Sequence, residues 1–267
     1  MITTVPAMVL AHNGWPDTWL VVWTVVGGSL AAGGANAINM YIDRDIDQLM
    51  IRTQNRPLVT GLISPRNALW FAIVLEVVAF AVLVTTSNVL AGALAVSATL
   101  FYVFIYTLWL KRTSRQNIVI GGAAGAAPVL VGWAAVANTV SWSAVVLFVV
   151  IFLWTPPHFW ALAIRYADEY KAASVPMLPV VETTARTVRT MGWYTVAVAA
   201  CSLLLIPVNN MGVIYSAVSV VLGVAFIVLT FGLGKSPTMS QAMRVFTFSI
   251  TYLTLLFLAA MLDVLVR

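Results

Sequence analysis

The sequence predicts an all-α membrane protein, a polytopic bundle of about nine transmembrane helices formed by residues 1–267 as a single domain. Hydrophobic residues make up 61% of the 267 residues, charged residues make up 9%, and the mean hydropathy is +0.97. Soluble globular domains carry about 25% charged residues, so this deficit indicates an integral membrane protein. Long apolar segments in lipid must satisfy their backbone polar groups internally, which favours packed helices.

Apolar stretches of spanning length follow one another along the chain and are separated by short turns or charged loops. A membrane helix needs about 20 apolar residues. The first twelve residues are apolar but too few for a span, so we expect them to be the end of a helix whose beginning is missing. The eight predicted spans cover about 18–42, 67–86, 89–110, 118–138, 142–163, 190–207, 211–233 and 241–265.

The basic residues predict the topology. Of the fourteen Lys and Arg residues, thirteen fall in four loops, and the intervening connections have none. Cytoplasmic loops of membrane proteins are enriched in Lys and Arg, so all four basic loops are predicted to be cytoplasmic. The net charge of +5 therefore reflects membrane orientation, and we expect no nucleic-acid partner. The basic positions are Arg44, Arg52, Arg56, Arg66, Lys111, Arg112, Arg115, Arg165, Lys171, Arg186, Arg189, Lys235 and Arg244.

An unusual acidic cluster closes the first predicted span. Asn39, Asp43 and Asp47 are spaced four residues apart, which places them on one face of a helix, whereas Asp45 points roughly 160° away. Like charges four residues apart repel, and acids at a helix C-terminus meet the negative end of the helix dipole. A divalent cation would reverse both penalties, and carboxylate and amide oxygens suit Mg²⁺.

A solvated turn whose acids balance Arg44, Arg52 and Arg56 is the alternative interpretation of this cluster. The arginines themselves favour a ligand, since a guanidinium can donate two hydrogen bonds to the oxygens of one pyrophosphate. Carboxylates, Mg²⁺ and arginines together predict a diphosphate site at the membrane surface.

The segment "NMYIDRDIDQLMIRTQNRPLVTG" resembles the first aspartate-rich motif of the UbiA-type intramembrane prenyltransferases. Three further segments make the sequence similar to the haem O synthase family within that superfamily: "YTLWLKRTSRQNIVIGGAAGAAPVLVGW", "WTPPHFWALAIRY" and "VPMLPVV". The resemblance implies nine membrane helices, a Mg²⁺ cofactor and farnesyl diphosphate as the donor substrate.

The resemblance assigns roles to residues at the acidic cluster and in the two loops beside it. It implies Asp43, Asp47 and Lys111 as catalytic residues and Asn39, Asp43 and Asp47 as ligands of Mg²⁺. The diphosphate ligands implied by the resemblance are Asn39, Arg52, Arg56, Lys111 and Arg112.

The third basic loop and two membrane positions supply the remaining candidates. Many superfamily members carry a second D-x-x-x-D motif, but this loop has adjacent acids, Asp168 and Glu169, of which one is expected to serve a second metal. The resemblance suggests that His158 contacts haem; a hydrogen bond to a neighbouring helix is the alternative. Glu76 lies near the middle of its span and is expected to face the bundle interior.

The resemblance implies transfer of a farnesyl group from farnesyl diphosphate to a vinyl group of haem b, giving haem O. It also raises haem A synthase or a terminal oxidase assembly as candidate partners in a plasma membrane, with the active site facing the cytoplasm. A related enzyme that prenylates an aromatic or quinone-precursor acceptor is the nearest alternative. A transporter is the alternative from another class, although only Glu76 among the acids lies deep in a span.

Overall fold

The computed structural model describes residues 2–235 and 238–267, and every regular element within them is a helix. Four of the helices are short segments of three turns or fewer. In chain order the helices are α1 (Thr4–His12), α2 (Thr18–Ile42), α3 (Arg44–Gln48), α4 (Pro65–Thr86), α5 (Val89–Thr113), α6 (Asn117–Ala137), α7 (Trp142–Arg165), α8 (Ala167–Ala172), α9 (Leu178–Val181), α10 (Thr184–Val208), α11 (Val213–Lys235) and α12 (Met239–Val266).

Eight helices in the described part of the chain are long and apolar enough to cross a membrane. Each coincides with a predicted span to within a few residues, apart from α10, which begins at Thr184 and so extends beyond the predicted start at 190. The helix α1 has nine residues, fewer than a membrane span needs. The predicted all-α membrane bundle is confirmed.

Capping side chains define where several helices begin. Asp17 accepts a hydrogen bond from the backbone N–H of Leu20 at 2.9 Å and caps α2. Asn88 does the same for α5 through the N–H of Ala91, also at 2.9 Å. Such bonds satisfy backbone donors that a helix leaves unpaired at its N-terminus, which sets the short turns between spans.

The bundle has two parts, which meet at α6. On one side α2, α4 and α5 pack together around small residues, and on the other α7, α10, α11 and α12 enclose a larger core. The helix α1 lies between them, against α6 and α12. Trp160, Tyr215, Phe226 and Tyr252 fill the larger core, while alanines dominate the smaller one. The smaller side chains leave space beside α2 and α5.

Two glycines of α6, Gly121 and Gly122, allow neighbouring helices to approach closely. A Cβ atom on Gly121 would collide with the Tyr106 ring, and one on Gly122 would lie 3.0 Å from the Thr155 Cβ. Gly125 has open space beside it instead. Two of these glycines therefore permit close packing, and the third borders a cavity.

Three of the four predicted basic loops meet at one end of the bundle. Lys111, at the end of α5, donates a hydrogen bond to Asp43, at the end of α2. Arg115 donates to Glu182 of the third basic loop at 2.6 Å. The side chain of Lys235, in the fourth basic loop, lies outside the described part of the structure. The orientation of this end toward the cytoplasm stays a prediction.

Candidate active site

The acidic end of α2 is folded inward, although the helix does not continue through it. We expected an uninterrupted helix to Asp47, but α2 ends at Ile42 and α3 begins at Arg44, with Asp43 between them. The four-residue spacing survives this break, because the N–H of Asp43 bonds to the Asn39 carbonyl and that of Asp47 to the Asp43 carbonyl, each at 2.8 Å. Asn39, Asp43 and Asp47 are consequently all buried.

Asp43 lies at the centre of the charge network, and its side chain has an exposed fraction of 0%. Its Oδ2 accepts hydrogen bonds from Lys111 and from the Asn39 amide nitrogen, the latter at 2.7 Å. Arg112 approaches the other oxygen at 3.4 Å. Cations within reach of both oxygens offset the cost of burying this carboxylate.

Asp47 is 4% exposed and accepts a hydrogen bond from Arg56 at 2.6 Å. The loop after α3 also contacts Asp47, because the Thr53 hydroxyl donates a hydrogen bond to the Asp47 backbone carbonyl at 3.0 Å. This local bond holds the chain between α3 and Arg56 in a compact turn. Arg56 therefore reaches an acid only nine residues before it.

Asp45 lies on the opposite side, with 61% of its side chain exposed. Both of its oxygens accept hydrogen bonds from Arg112, each at 2.7 Å. That bidentate pair lowers the pKa of Asp45 to about 2. The structure thus separates Asp45 from the buried acids, and it directs Arg112 mainly toward Asp45.

A polar cavity of about 300 Å³ opens beside the buried acids. Asn39 and Asp47 reach its wall, as do the three cations Arg52, Arg56 and Lys111; Asp43 lies one layer behind. The rest of the described lining is mainly aromatic and small: Asn36, Met50, Thr53, Tyr102, Tyr106, Ile118, Gly121, Gly122, Gly125, Ile151, Trp154, Thr155, Phe159, Tyr170 and Met177.

An apolar cavity of about 250 Å³ adjoins the polar one. The two share Asn36, Tyr102 and Gly125, which mark their junction. The apolar cavity follows α2 from Asn36 to Thr24, twelve positions that span roughly 18 Å of helix at 1.5 Å per residue. The pair can receive a ligand with an anionic head and a long apolar tail.

The two acids of the third basic loop differ in their surroundings. Asp168 is exposed, whereas Glu169 is half-buried, and its Oε2 is buried without a hydrogen-bond partner among the described residues. Neither residue lies on the wall of the polar cavity, but the next residue, Tyr170, does. Burial raises the pKa of the Tyr170 hydroxyl above its usual value. Of the two acids, Glu169 is the one with a buried oxygen that no described residue bonds, and a role of either acid in metal binding stays a prediction.

His158 lies behind the cavity wall. Its Nδ1 shares a hydrogen bond of 2.7 Å with the hydroxyl of Ser249 on α12. The ring is stacked between Trp154, at a centroid distance of 4.2 Å, and Phe246, at 4.6 Å. Trp154 itself lines the cavity, so His158 supports that wall from behind. Its contact with haem stays a prediction.

Glu76 faces the bundle, as its position in the span predicted. Its Oε1 accepts a hydrogen bond of 3.3 Å from Thr99, which lines the apolar cavity. Gly34 makes room for the carboxylate, since a Cβ at that position would lie 2.6 Å from Oε1. The contacts are those of a packed polar pair beside the cavity.

Several residues of the site were not predicted from the sequence. Asn36 lies in both cavities and makes no side-chain hydrogen bond to a described residue. Its spacing, three residues before Asn39, was a signal that it shares the helix face. Tyr102 and Tyr106 line the site as a stacked pair with centroids 5.4 Å apart. Thr107 is buried and accepts a hydrogen bond from Asn39 at 3.2 Å.

Buried acids and three cations around a polar cavity, with an apolar chamber beside it, characterise an intramembrane enzyme for diphosphates with apolar tails. A sequence model of the UbiA prenyltransferase family matches residues 1–260. The chain belongs to the UbiA prenyltransferase family and is a membrane prenyltransferase.

Individual relatives and solved structures agree with this assignment. The chain is 52% identical over 266 residues to protoheme IX farnesyltransferase of Clavibacter michiganensis subsp. michiganensis, covering 98% of this chain and 87% of that protein. A digeranylgeranylglyceryl phosphate synthase has the same fold, with a TM-score of 0.82 at 20% identity over 100% of this chain and 93% of that one. So does a UbiA homologue from Archaeoglobus fulgidus bound to DMAPP and Mg²⁺, with a TM-score of 0.68 at 15% identity over 97% and 94%.

Proposed function

We propose that this enzyme transfers the farnesyl group of farnesyl diphosphate to a vinyl group of haem b, producing haem O. The main support is that a cavity lined by cations adjoins an apolar cavity. A prenyl diphosphate has a charged head joined to an apolar tail, so its two parts match the two cavities. The identity of 52% to a protein named protoheme IX farnesyltransferase supports haem as the acceptor.

The donor's diphosphate is bound in the polar cavity by Arg52, Arg56 and Lys111, all of which reach its wall. Charge-assisted hydrogen bonds from these cations stabilise the diphosphate as it departs with the electron pair of its bond to C1. Arg112 contributes to diphosphate binding mainly through the electrostatic field of its positive charge, since its hydrogen bonds at 2.7 Å go to Asp45.

The donor set at the end of α2 fits Mg²⁺. Within residues 2–235 and 238–267 no three His, Cys, Asp or Glu side chains form a metal cluster, and Mg²⁺ needs only one or two carboxylates alongside substrate phosphates. Asn39 and Asp47 would hold the ion from the cavity wall, with Asp43 behind them and Glu169 as the candidate for a second ion. When bound, Mg²⁺ would neutralise negative charge that develops on the leaving diphosphate.

The apolar cavity holds the farnesyl tail and excludes water from it. Its wall is formed mostly by alanines, glycines and threonines of α2, α5 and α6, whose small side chains leave space beside α2. Excluding water limits the attack of water on C1, where allylic cation character develops. Tyr102 lies at the junction of the two cavities, and in this proposal its ring stabilises the positive charge at C1 through its π electrons.

The acceptor lies against the α7 wall of the polar cavity, formed by Ile151, Trp154, Thr155 and Phe159. The vinyl group attacks C1 with its π electrons, so a carbon–carbon bond forms as the bond from C1 to the diphosphate oxygen breaks. The cation left on the inner vinyl carbon is captured by water. Loss of one proton from that water gives the hydroxyethylfarnesyl side chain of haem O.

We further propose that the enzyme lies in the plasma membrane with this site facing the cytoplasm. The support is the clustering of basic loops at the end that holds the site, since Lys and Arg are enriched on the cytoplasmic side. Cysteine labelling at Thr113 and at Asn138 should report opposite sides of the membrane. Labelling of both from one side would refute this topology.

Two experiments test the proposed activity. Haem extracts from cells with the protein should contain haem O, and extracts from cells without it should not. Purified enzyme with haem b, farnesyl diphosphate and Mg²⁺ should also yield haem O, identified by mass and by retention on reversed-phase chromatography. A parallel reaction with 4-hydroxybenzoate as the aromatic acceptor tests the nearest alternative. Prenylation of that acid without a haem product would overturn the assignment of haem and retain the prenyltransferase class.

A further inference from the structure

The third membrane span, α5, changes its helical form as it approaches the site. Residues Phe101–Leu110 form a π-helix between α-helical ends. The backbone N–H of Lys111 bonds to the carbonyl of Tyr106, five residues earlier, and the Thr107 hydroxyl donates to the Tyr102 carbonyl at 2.9 Å. Long π-helices are rare, and short ones occur frequently at functional sites.

The π form changes which side chains share a face. An α-helix turns about 100° per residue, so Lys111 would point about 180° from Tyr102 and about 140° from Tyr106. Trp109 would instead lie within about 20° of Tyr102. The structure has the opposite arrangement. Tyr102, Tyr106 and Lys111 all line the polar cavity, and Trp109 is 59% exposed on the outer surface of the bundle.

We infer that the π-helical register of α5 is the device that positions Lys111 as a diphosphate ligand, and that Thr107 is the positioning residue that fixes this register. Thr107 is fully buried and holds both sides of the arrangement together. It donates to the Tyr102 carbonyl within the π segment, and it accepts from Asn39 of α2 at 3.2 Å. The pair between Lys111 and Asp43 completes the link to α2.

The register also explains the spacing of polar and aromatic residues in "YTLWLK". Tyr106 and Lys111 are five residues apart, which separates them on an α-helix and brings them together in a helix bonded from each residue to the fifth one along. Gly121 on α6 makes space for the Tyr106 ring, which keeps this wall of the cavity in place. The part of the inference that names diphosphate rests on the proposed function, whereas the register does not.

Cysteine protection tests the register directly. Cys201 is the chain's single cysteine, so Cys201→Ala provides the background for Trp109→Cys and Lys111→Cys. A water-soluble maleimide should label position 111 from the cavity, and farnesyl diphosphate with Mg²⁺, at a concentration that saturates each variant, should slow that labelling. Position 109 should show no protection. Protection at 109 and none at 111 would establish an α-helical register and overturn the inference.

Matched substitutions test the consequence for binding. Lys111→Ala should weaken binding of inorganic pyrophosphate with Mg²⁺ about tenfold or more, the scale of one hydrogen bond to a charged group. Trp109→Ala, on the lipid-facing surface of the same span, should change it by no more than about twofold. Equal losses for the two variants would refute the assignment. Pyrophosphate binding needs no haem, so failure of farnesyl transfer to haem leaves this test intact.

Substitutions that remove or keep the Thr107 hydroxyl test whether this residue fixes the register of α5. Thr107→Val keeps the side-chain volume and removes the hydrogen bonds to Tyr102 and Asn39, so we expect loss of maleimide protection at position 111 and weaker pyrophosphate binding. Thr107→Ser keeps the hydroxyl and should restore both. A Thr107→Val variant that is monodisperse on size exclusion and retains full protection at 111 would show that Thr107 does not fix the register.

Discussion

Replacing each aspartate of the acidic cluster by Asn separates the buried acids from the exposed one, because the substitution keeps size and removes one charge. Asp47 is 4% exposed on the cavity wall and bonded to Arg56 at 2.6 Å, and Asp43 is fully buried against Lys111. Loss of one strong electrostatic stabiliser costs about 100-fold in turnover, or about 2.7 kcal/mol. We expect at least that loss for Asp43→Asn and for Asp47→Asn.

Asp45→Asn should have a much smaller effect. Its pair with Arg112 is on the surface, with 61% of the Asp45 side chain exposed, and exposed pairs are worth up to about 1 kcal/mol, a factor of about five. The lowered pKa of Asp45, about 2, keeps it ionised from pH 5 to pH 8, so the effect should be constant over that range.

The assay is the initial rate of farnesyl transfer against Mg²⁺ concentration, with all three variants in the same detergent. Asp43→Asn also needs a thermal unfolding control, because it leaves the Lys111 charge without its buried partner, a change that costs about 3–5 kcal/mol in soluble proteins. Asp45→Asn proving as damaging as the other two would refute the reasoning, since burial would then not distinguish the functional acids.

Three further predictions concern the cavities. Gly28→Val should shorten the apolar cavity and shift donor preference from farnesyl toward geranyl diphosphate, whereas Val26→Leu, on the outer surface of α2, should not; competition between the two donors measures this. Tyr102→Phe should retain most activity and Tyr102→Leu should lose about tenfold, because the ring and not the hydroxyl stabilises positive charge, and equal rates for the two variants would contradict this. His158→Ala should weaken haem binding, followed by absorbance, and leave farnesyl diphosphate binding intact; the reverse pattern would contradict the acceptor role.

Seven of the eight membrane spans could be predicted from the sequence to within a few residues because one physical signal dominates them. A run of about 20 apolar residues between capping or charged residues has few alternatives to a helix in lipid. The separation of Asp45 from the face shared by Asp43 and Asp47 also followed from helical spacing, although the break at Asp43 did not. That break keeps the hydrogen bonds at four-residue spacing, so a simple helical phase still placed the side chains correctly.

The partners of those acids could not be predicted in the same way, because they depend on how different helices meet. Arg112 was expected to bind diphosphate, but in the structure its bonds at 2.7 Å go to Asp45, 67 positions away in the chain. Its role as a diphosphate ligand stays a prediction. The position of Lys111 required a change of helical form that apolar periodicity does not reveal, since Phe101–Leu110 is almost uniformly apolar. The local sequence therefore determines the helices of the site, whereas contacts between helices determine which charged groups are paired.

The energetic penalties at the end of α2 explain why the site needs several elements. Two acids four residues apart at a helix C-terminus would oppose each other and the helix dipole if that helix were alone. In the bundle, Lys111 from α5 offsets Asp43 and Arg56 from the following loop offsets Asp47, so the acids and the cations proposed to bind diphosphate stabilise each other. Both of these cations, Lys111 and Arg56, also reach the polar cavity. A bound diphosphate with Mg²⁺ can therefore replace these pairs with an equivalent set of opposite charges, without leaving a buried charge unpaired.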